Sequence, residues 1–92
     1  MTTVVDSEGR LVGVITDGDV RRSLESEGEL ALQSTAEESM TPDPVCMRAD
    51  ALATEALRLM EKRRITSLPV IDAEQRPEGV VHLHDLWRTE MI

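Results

Sequence analysis

Residues 4–22 of this chain, Val4 to Arg22, recur 66 positions later as Val70 to Arg88. Positions 4/70, 6/72, 8/74, 10/76, 13/79, 14/80, 19/85 and 22/88 are identical. A repeat of this length means two copies of one supersecondary unit, neither of which buries its apolar face alone. Each copy reads as strand, turn, strand and helix, with an acid just inside the helix start. The groove between the copies is therefore the place to look for function.

The elements follow from local pattern. Thr2–Val5 and Leu11–Ile15 are short β-branched runs joined through Asp6-Ser7-Glu8-Gly9-Arg10, a hairpin connection with glycine as its turn residue. Thr16 or Asp17 caps a helix over roughly Gly18–Glu25, which stops at Glu27-Gly28-Glu29. Ser34 with Glu37, or Thr35 with Glu38, offers a capping box for a short helix before Met40. Thr41-Pro42-Asp43-Pro44 is extended because two prolines forbid regular helix. Val45–Met47 reads as a strand, and Asp50 as the cap of a helix over Ala51–Arg64. That helix keeps apolar spacing at Leu52, Ala53, Ala56, Leu57, Leu59 and Met60, with Lys62, Arg63 and Arg64 suiting its C-terminal dipole. Then come a strand Ser67–Ile71, a turn Ala73–Pro77, a strand Gly79–Leu83 and a helix from about Asp85.

From residue 45 the order is thus βαββα, a complete unit. The first copy holds only the ββα half, since the counterpart of helix 51–64 would fall before residue 1. The expectation is a fragment of a longer protein: an α/β (α+β) chain with the end of one unit at 1–33 and a whole second unit at 34–92.

Composition narrows the partners. Acids outnumber bases 18 to 10, for a net charge of −8, which argues against nucleic acid and anionic membrane. Without Phe or Tyr, only Trp87 remains for base stacking. The apolar runs are too short to span a bilayer, and the opening residues carry no signal-peptide pattern. One cysteine, Cys46, fits a reducing cytoplasm; it reads as a small apolar strand residue rather than a catalytic thiol.

Leu68-Pro69-Val70-Ile71-Asp72, Gly79-Val80-Val81 and the Asp opening a helix resemble a cystathionine β-synthase-type (CBS) domain. Ser39-Met40-Thr41-Pro42 leading into the Leu52/Ala56/Leu57/Met60 helix does so as well. The resemblance implies a CBS-domain pair: two βαββα-type units about a pseudo-two-fold axis, the first incomplete, with two clefts. Val14-Ile15-Thr16-Asp17-Gly18-Asp19-Val20-Arg21-Arg22, Ile65-Thr66-Ser67-Leu68-Pro69-Val70 and the closing His82-Leu83-His84-Asp85-Leu86 are similar to the C-terminal CBS pair of bacterial D-arabinose 5-phosphate isomerases. Those enzymes carry an N-terminal sugar-isomerase (SIS) domain and serve 3-deoxy-D-manno-octulosonate and lipopolysaccharide synthesis. CBS pairs of sugar-nucleotide pyrophosphorylases resemble the Thr16–Arg22 string too.

In nucleotide-binding CBS pairs, a Thr/Ser-x-x-Asp at the strand-to-helix junction faces the ligand. The resemblance then implies Thr16 at the phosphate, beside a helix N-terminus that favours anions, and Asp19 at the ribose hydroxyls. Gly18 leaves the backbone approachable. The alternative is that Asp19 only stabilises the first helical turn. In the second copy His82 replaces Thr, giving His82-Leu83-His84-Asp85. A histidine donates to phosphate more strongly when protonated, or this cleft has lost binding. His82 and His84, two apart on a strand, would share a face and permit a metal. No further Cys or His lies at ligand spacing, so no metal site is assigned; packing by His82 and capping by His84 are the plainer readings.

Ser67, Leu68, Pro69 and Val70, with Thr41 in the facing loop, complete the second cleft, although Leu68 and Val70 read equally as core. Arg21, Arg22, Arg63 and Arg64 are phosphate clamps or solvated helix surface, and Trp87 is a buried anchor or a dimer contact. No catalytic motif is present, and no cofactor is required. The expected function is a regulatory module taking an adenine nucleotide or a CMP-sugar as effector, joined to its own SIS domain and homodimeric through its CBS pairs. The competing readings are a purely structural oligomerisation module and the CBS pair of a pyrophosphorylase.

Overall fold

The computed structural model describes residues 1–87, with the side chain of Trp87 outside the description. The readings of Trp87 as anchor or dimer contact therefore lie outside the described residues. The chain forms two compact units, Met1–Pro44 and the residues from Val45 onward.

The first unit runs β1 (Thr2–Val5), β2 (Leu11–Ile15), α1 (Asp17–Glu27), a 3-10 segment (Gly28–Gln33), α2 (Ala36–Ser39) and β3 (Thr41–Pro42). Its sheet has the order β1-β2-β3, antiparallel throughout. The second runs β4 (Met47–Arg48), α3 (Ala53–Arg63), β5 (Ser67–Ile71), β6 (Pro77–His82) and α4 (Leu83–Trp87). Its sheet has the order β4-β5-β6, with β4 parallel to β5 and β6 antiparallel to it. The βαββα order expected from residue 45 is present.

The sequence repeat is a repeat of register. Thr2 pairs with Ile15 and Val4 with Gly13, as Leu68 pairs with Val81 and Val70 with Gly79. Both hairpins shift register at the same place, at Val4/Val5 and Val70/Ile71. Both turns are tied by one aspartate. Asp6 Oδ1 accepts from the backbone N–H groups of Glu8 and Arg10, each at 2.9 Å. Asp72 Oδ1 accepts from those of Glu74 and Arg76, at 2.8 and 2.9 Å. The left-handed turn position is Gly9 (φ 82°) in one copy and Gln75 (φ 67°) in the other.

Several boundaries differ from the sequence reading. Asp50 does not cap α3: the Ala51 N–H closes a turn on the Arg48 carbonyl at 3.1 Å, and the helix starts after Leu52. The strand expected at Val45–Met47 lies at Met47–Arg48, where the chain meets Val70 and Ile71 of β5. Cys46 is therefore outside the ladder; it is half-buried, and burial pushes its thiol pKa up, away from the reactive thiolate. β6 starts early, at Pro77, because the register shift opposite Ile71 tolerates a residue without an N–H. α4 starts at Leu83 rather than Asp85, its first N–H donating to the Thr66 carbonyl at 2.8 Å. Gly28 ends α1 at φ 60°, and the unforeseen 3-10 segment follows.

The apolar core of the second unit is Ala56 and Met60 of α3 against Leu68 of β5 and Leu86 of α4. The first unit has no such cluster among its described residues. Val20, the counterpart of Leu86, is 48% exposed where Leu86 is 7% exposed. The unit carries no counterpart of α3 to cover it.

The repeated glycines are not equivalent. A Cβ on Gly13 would fall on the Met40 side chain and 3.0 Å from the Thr41 carbonyl oxygen, whereas one on Gly79 meets nothing within 4 Å. Gly13→Ala is expected to destabilise by about 1–2 kcal/mol through overpacking. Gly79→Ala should be neutral or slightly stabilising. Urea melts of the two variants check the contrast.

Candidate functional site around Thr16, Asp19 and Thr41

The junction of β2 and α1 is built by reciprocal hydrogen bonds. Thr16 is the N-cap: its Oγ1 accepts from the Asp19 N–H at 3.2 Å, and Asp19 Oδ2 accepts from the Thr16 N–H at 2.9 Å. This is a capping box with Asp in the third helical position. Thr41, brought opposite Val14 by the β2–β3 ladder, donates its hydroxyl to Asp19 Oδ1 at 3.1 Å. Arg22, one turn on, donates to the same oxygen at 2.5 Å. Among the expected site residues, Thr16 and Asp19 are thus brought together, and Thr41, expected in the facing loop of the second cleft, holds the Asp19 carboxylate of the first unit instead. Arg22 joins them; its spacing of three from Asp19 on a helix was the available signal.

Asp19 is the buried charged residue of the described chain, at 8% exposure. Burial pushes its carboxyl pKa up, but the hydrogen bonds from the Thr16 backbone, Thr41 and Arg22 outweigh it. The net result lies below the ordinary value of 3.8. The group is held ionised at the start of a helix, within a unit whose apolar burial is slight. Gly18 is not required by the fold, since a Cβ there would press only on the movable guanidinium of Arg22, 3.1 Å from Nη1, with Thr16 Oγ1 at 3.6 Å.

The second unit repeats the design more loosely. Asp85 Oδ2 accepts from the His82 N–H at 3.4 Å, and both residues are exposed. His82 does not pack into the core, because it ends β6 where the chain turns into α4. His84 is the second residue of α4, not its cap, so the two histidines do not share a strand face. No group of three His, Cys, Asp or Glu among the described residues is placed to hold a metal. Leu68 and Pro69 are fully buried, while Ser67 and Val70 are half-buried. Leu68 belongs to the core cluster of its unit, so its side chain is not available as a ligand contact. No helix among the described residues is long and apolar enough to cross a membrane.

Comparison with known proteins identifies the unit that this junction belongs to. The CBS domain family matches residues 3–26 and 36–86. The arabinose 5-phosphate isomerase KdsD of Pseudomonas aeruginosa is 46% identical over 92 residues, covering 100% of this chain and 28% of the relative. The isomerase KpsF of Escherichia coli O6:H1 is 40% identical over 85 residues, covering 92% of this chain and 26% of the relative. The chain spans little more than a quarter of the length of these curated relatives. Among solved structures, the CBS domain pair of protein MJ0100, in complex with 5′-methylthioadenosine and S-adenosyl-L-methionine, superposes with a TM-score of 0.83 at 31% identity. It covers 96% of this chain and 67% of that one. CBSX2 in complex with AMP gives a TM-score of 0.79 at 26% identity, covering 97% and 69%. With a family match over most of its length and full-length similarity to the CBS region of the isomerases, the chain belongs to the CBS domain family.

Proposed function

We propose that this chain is the ligand-sensing module of an arabinose 5-phosphate isomerase, and that the Thr16/Asp19/Thr41 junction receives the ribose and phosphate of a nucleotide. The observation that carries the reading is the capping box itself. It holds an ionised, buried carboxylate next to the free N–H groups of an 11-residue helix, so acceptor and anion seat lie side by side. That similar pairs are found with AMP and with S-adenosyl compounds supports an adenine nucleotide. A CMP-sugar made downstream of the isomerase is the alternative effector, since feedback needs a ligand that binds two conformations unequally. His82 and Asp85 with Ser67 and Val70 would form a second, weaker site; Pro69, like Leu68, is fully buried and does not line it.

The rest of the proposal extends the resemblance to the isomerases. The isomerase active site lies in a SIS domain outside these residues, the module dimerises through its CBS pair, and the protein is cytoplasmic. The chain divides at residue 33 into the end of one repeat and a whole second repeat, with β3 of the second lent to the sheet of the first. One observation favours a purely structural module instead: the Asp19 carboxylate already has three partners from its own chain.

Thermal melts with AMP, ATP, CMP and the CMP-sugar separate the two readings. A specific ligand at a hundred times its Kd adds about 2.7 kcal/mol, a shift on the order of 10 °C for a domain of this size. The shift should disappear in Asp19→Ala and persist in Asp85→Ala. No shift with any of the four is the result expected of the structural module.

A further inference from the structure

We propose that Arg22 is an exchangeable occupant of the Asp19 carboxylate, released by the ligand's ribose hydroxyls and turned to its phosphate, so that the site prefers 5′-phosphorylated nucleosides to nucleosides. This rests on the nucleotide reading above. A carboxylate offers about four lone-pair positions. Three are filled by the Thr16 N–H, the Thr41 hydroxyl and the Arg22 guanidinium. A ribose diol brings two O–H donors, so one resident must leave.

The three residents are not equally bound to the fold. The Thr16 N–H is fixed at the helix cap, and Thr41 is fixed in the ladder opposite Val14. Arg22 sits on the end of a side chain that is 70% exposed. Its departure disturbs no backbone. The guanidinium returns to water when it leaves and the carboxylate takes the ribose donors in its place, so the exchange opposes ribose binding by no more than about fivefold.

The guanidinium is already positioned for its second role. It lies over the first turn of α1, with Nη1 3.1 Å from where a Gly18 Cβ would stand. That places the cation next to the N–H groups that would seat a phosphate. A guanidinium suits phosphate by its forked donors and permanent charge. In the free chain it neutralises Asp19; in the complex it would neutralise the ligand. A nucleoside without a phosphate displaces the pair and gives it no new partner.

Titrating adenosine and AMP separately into the full chain and into Arg22→Met, by calorimetry, tests this. Methionine keeps the stem and helix propensity while removing charge and donors, and the side chain is exposed, so the fold should be unaffected. The expected result is adenosine bound up to about fivefold more tightly by the variant and AMP about tenfold more weakly. The preference for AMP over adenosine would then collapse by more than tenfold. Unchanged affinities for both ligands, or equal weakening of both, would overturn the exchange while leaving the nucleotide site standing. Binding of neither ligand by the unmodified chain would overturn the nucleotide reading, and the exchange with it.

Discussion

Leu68→Ala is expected to destabilise the second unit by about 2–5 kcal/mol, the range for emptying a buried leucine site. Leu68 has no exposed surface and lies within the cluster of Ala56, Met60 and Leu86, with Met47, Leu57, Leu59, Ile65, Val81 and Leu83 packed around it. Truncation removes contacts to a strand and two helices at once. Tightly packed neighbours refill only part of the void. Domains are commonly stable by about 5–15 kcal/mol, so this single change takes a large fraction of the total. A urea titration reads it as a lowered midpoint with little change in slope. Leu52→Ala is the control. Leu52 is 66% exposed just ahead of α3, and its truncation should stay within about 0.5 kcal/mol of the unmodified chain. If nucleotide binding fails in Leu68→Ala, the loss is one of folding, not of contact.

How far the fold was legible depends on which residues carried it. The repeat did most, because identical residues at 4/70, 6/72 and 13/79 are those that fix the paired register and the aspartate-tied turns. The capping acids at 19 and 85 were legible for the same reason, each three residues after the cap position. What was hidden is what local sequence does not encode. Asp50 is a good cap residue, yet a turn on Arg48 places the helix start two residues later. Leu68 and Val70 have the same apolar character in sequence, but only Leu68 is fully buried, since that depends on where α3 and α4 cross β5. Ser67–Val70 were grouped as a ligand-facing stretch by resemblance; alternation along a strand sends neighbouring side chains to opposite faces. The spacing of three signalled Arg22 as a partner for Asp19, but the hold of Thr41 on the same carboxylate, from 22 residues away in sequence, had no local signal.

Asp19→Ala should destabilise the first unit by about 2–3 kcal/mol at neutral pH, and the loss should depend on pH. The variant removes the side chain that accepts from the Thr16 N–H, the Thr41 hydroxyl and Arg22. Losing an N-terminal cap partner alone costs about 1 kcal/mol. Leaving partly buried donors without acceptors adds a comparable amount, while Arg22, whose side chain is 70% exposed, is resolvated and adds little. The sign with pH follows from the depressed pKa of the folded carboxyl. A group whose folded pKa lies below its unfolded value contributes fully above the unfolded pKa, and loses that contribution as pH falls through the folded one. The gap in stability between the unmodified chain and Asp19→Ala should therefore be widest at pH 6–7. It should narrow only on acidification below about pH 4. Asp85→Ala provides the internal comparison. Asp85 is exposed and makes one 3.4 Å contact to the His82 N–H, so its removal should change stability by less than about 0.5 kcal/mol. Equal losses in the two variants would mean that both copies of the junction contribute alike, and would remove the basis for assigning the ligand to the first.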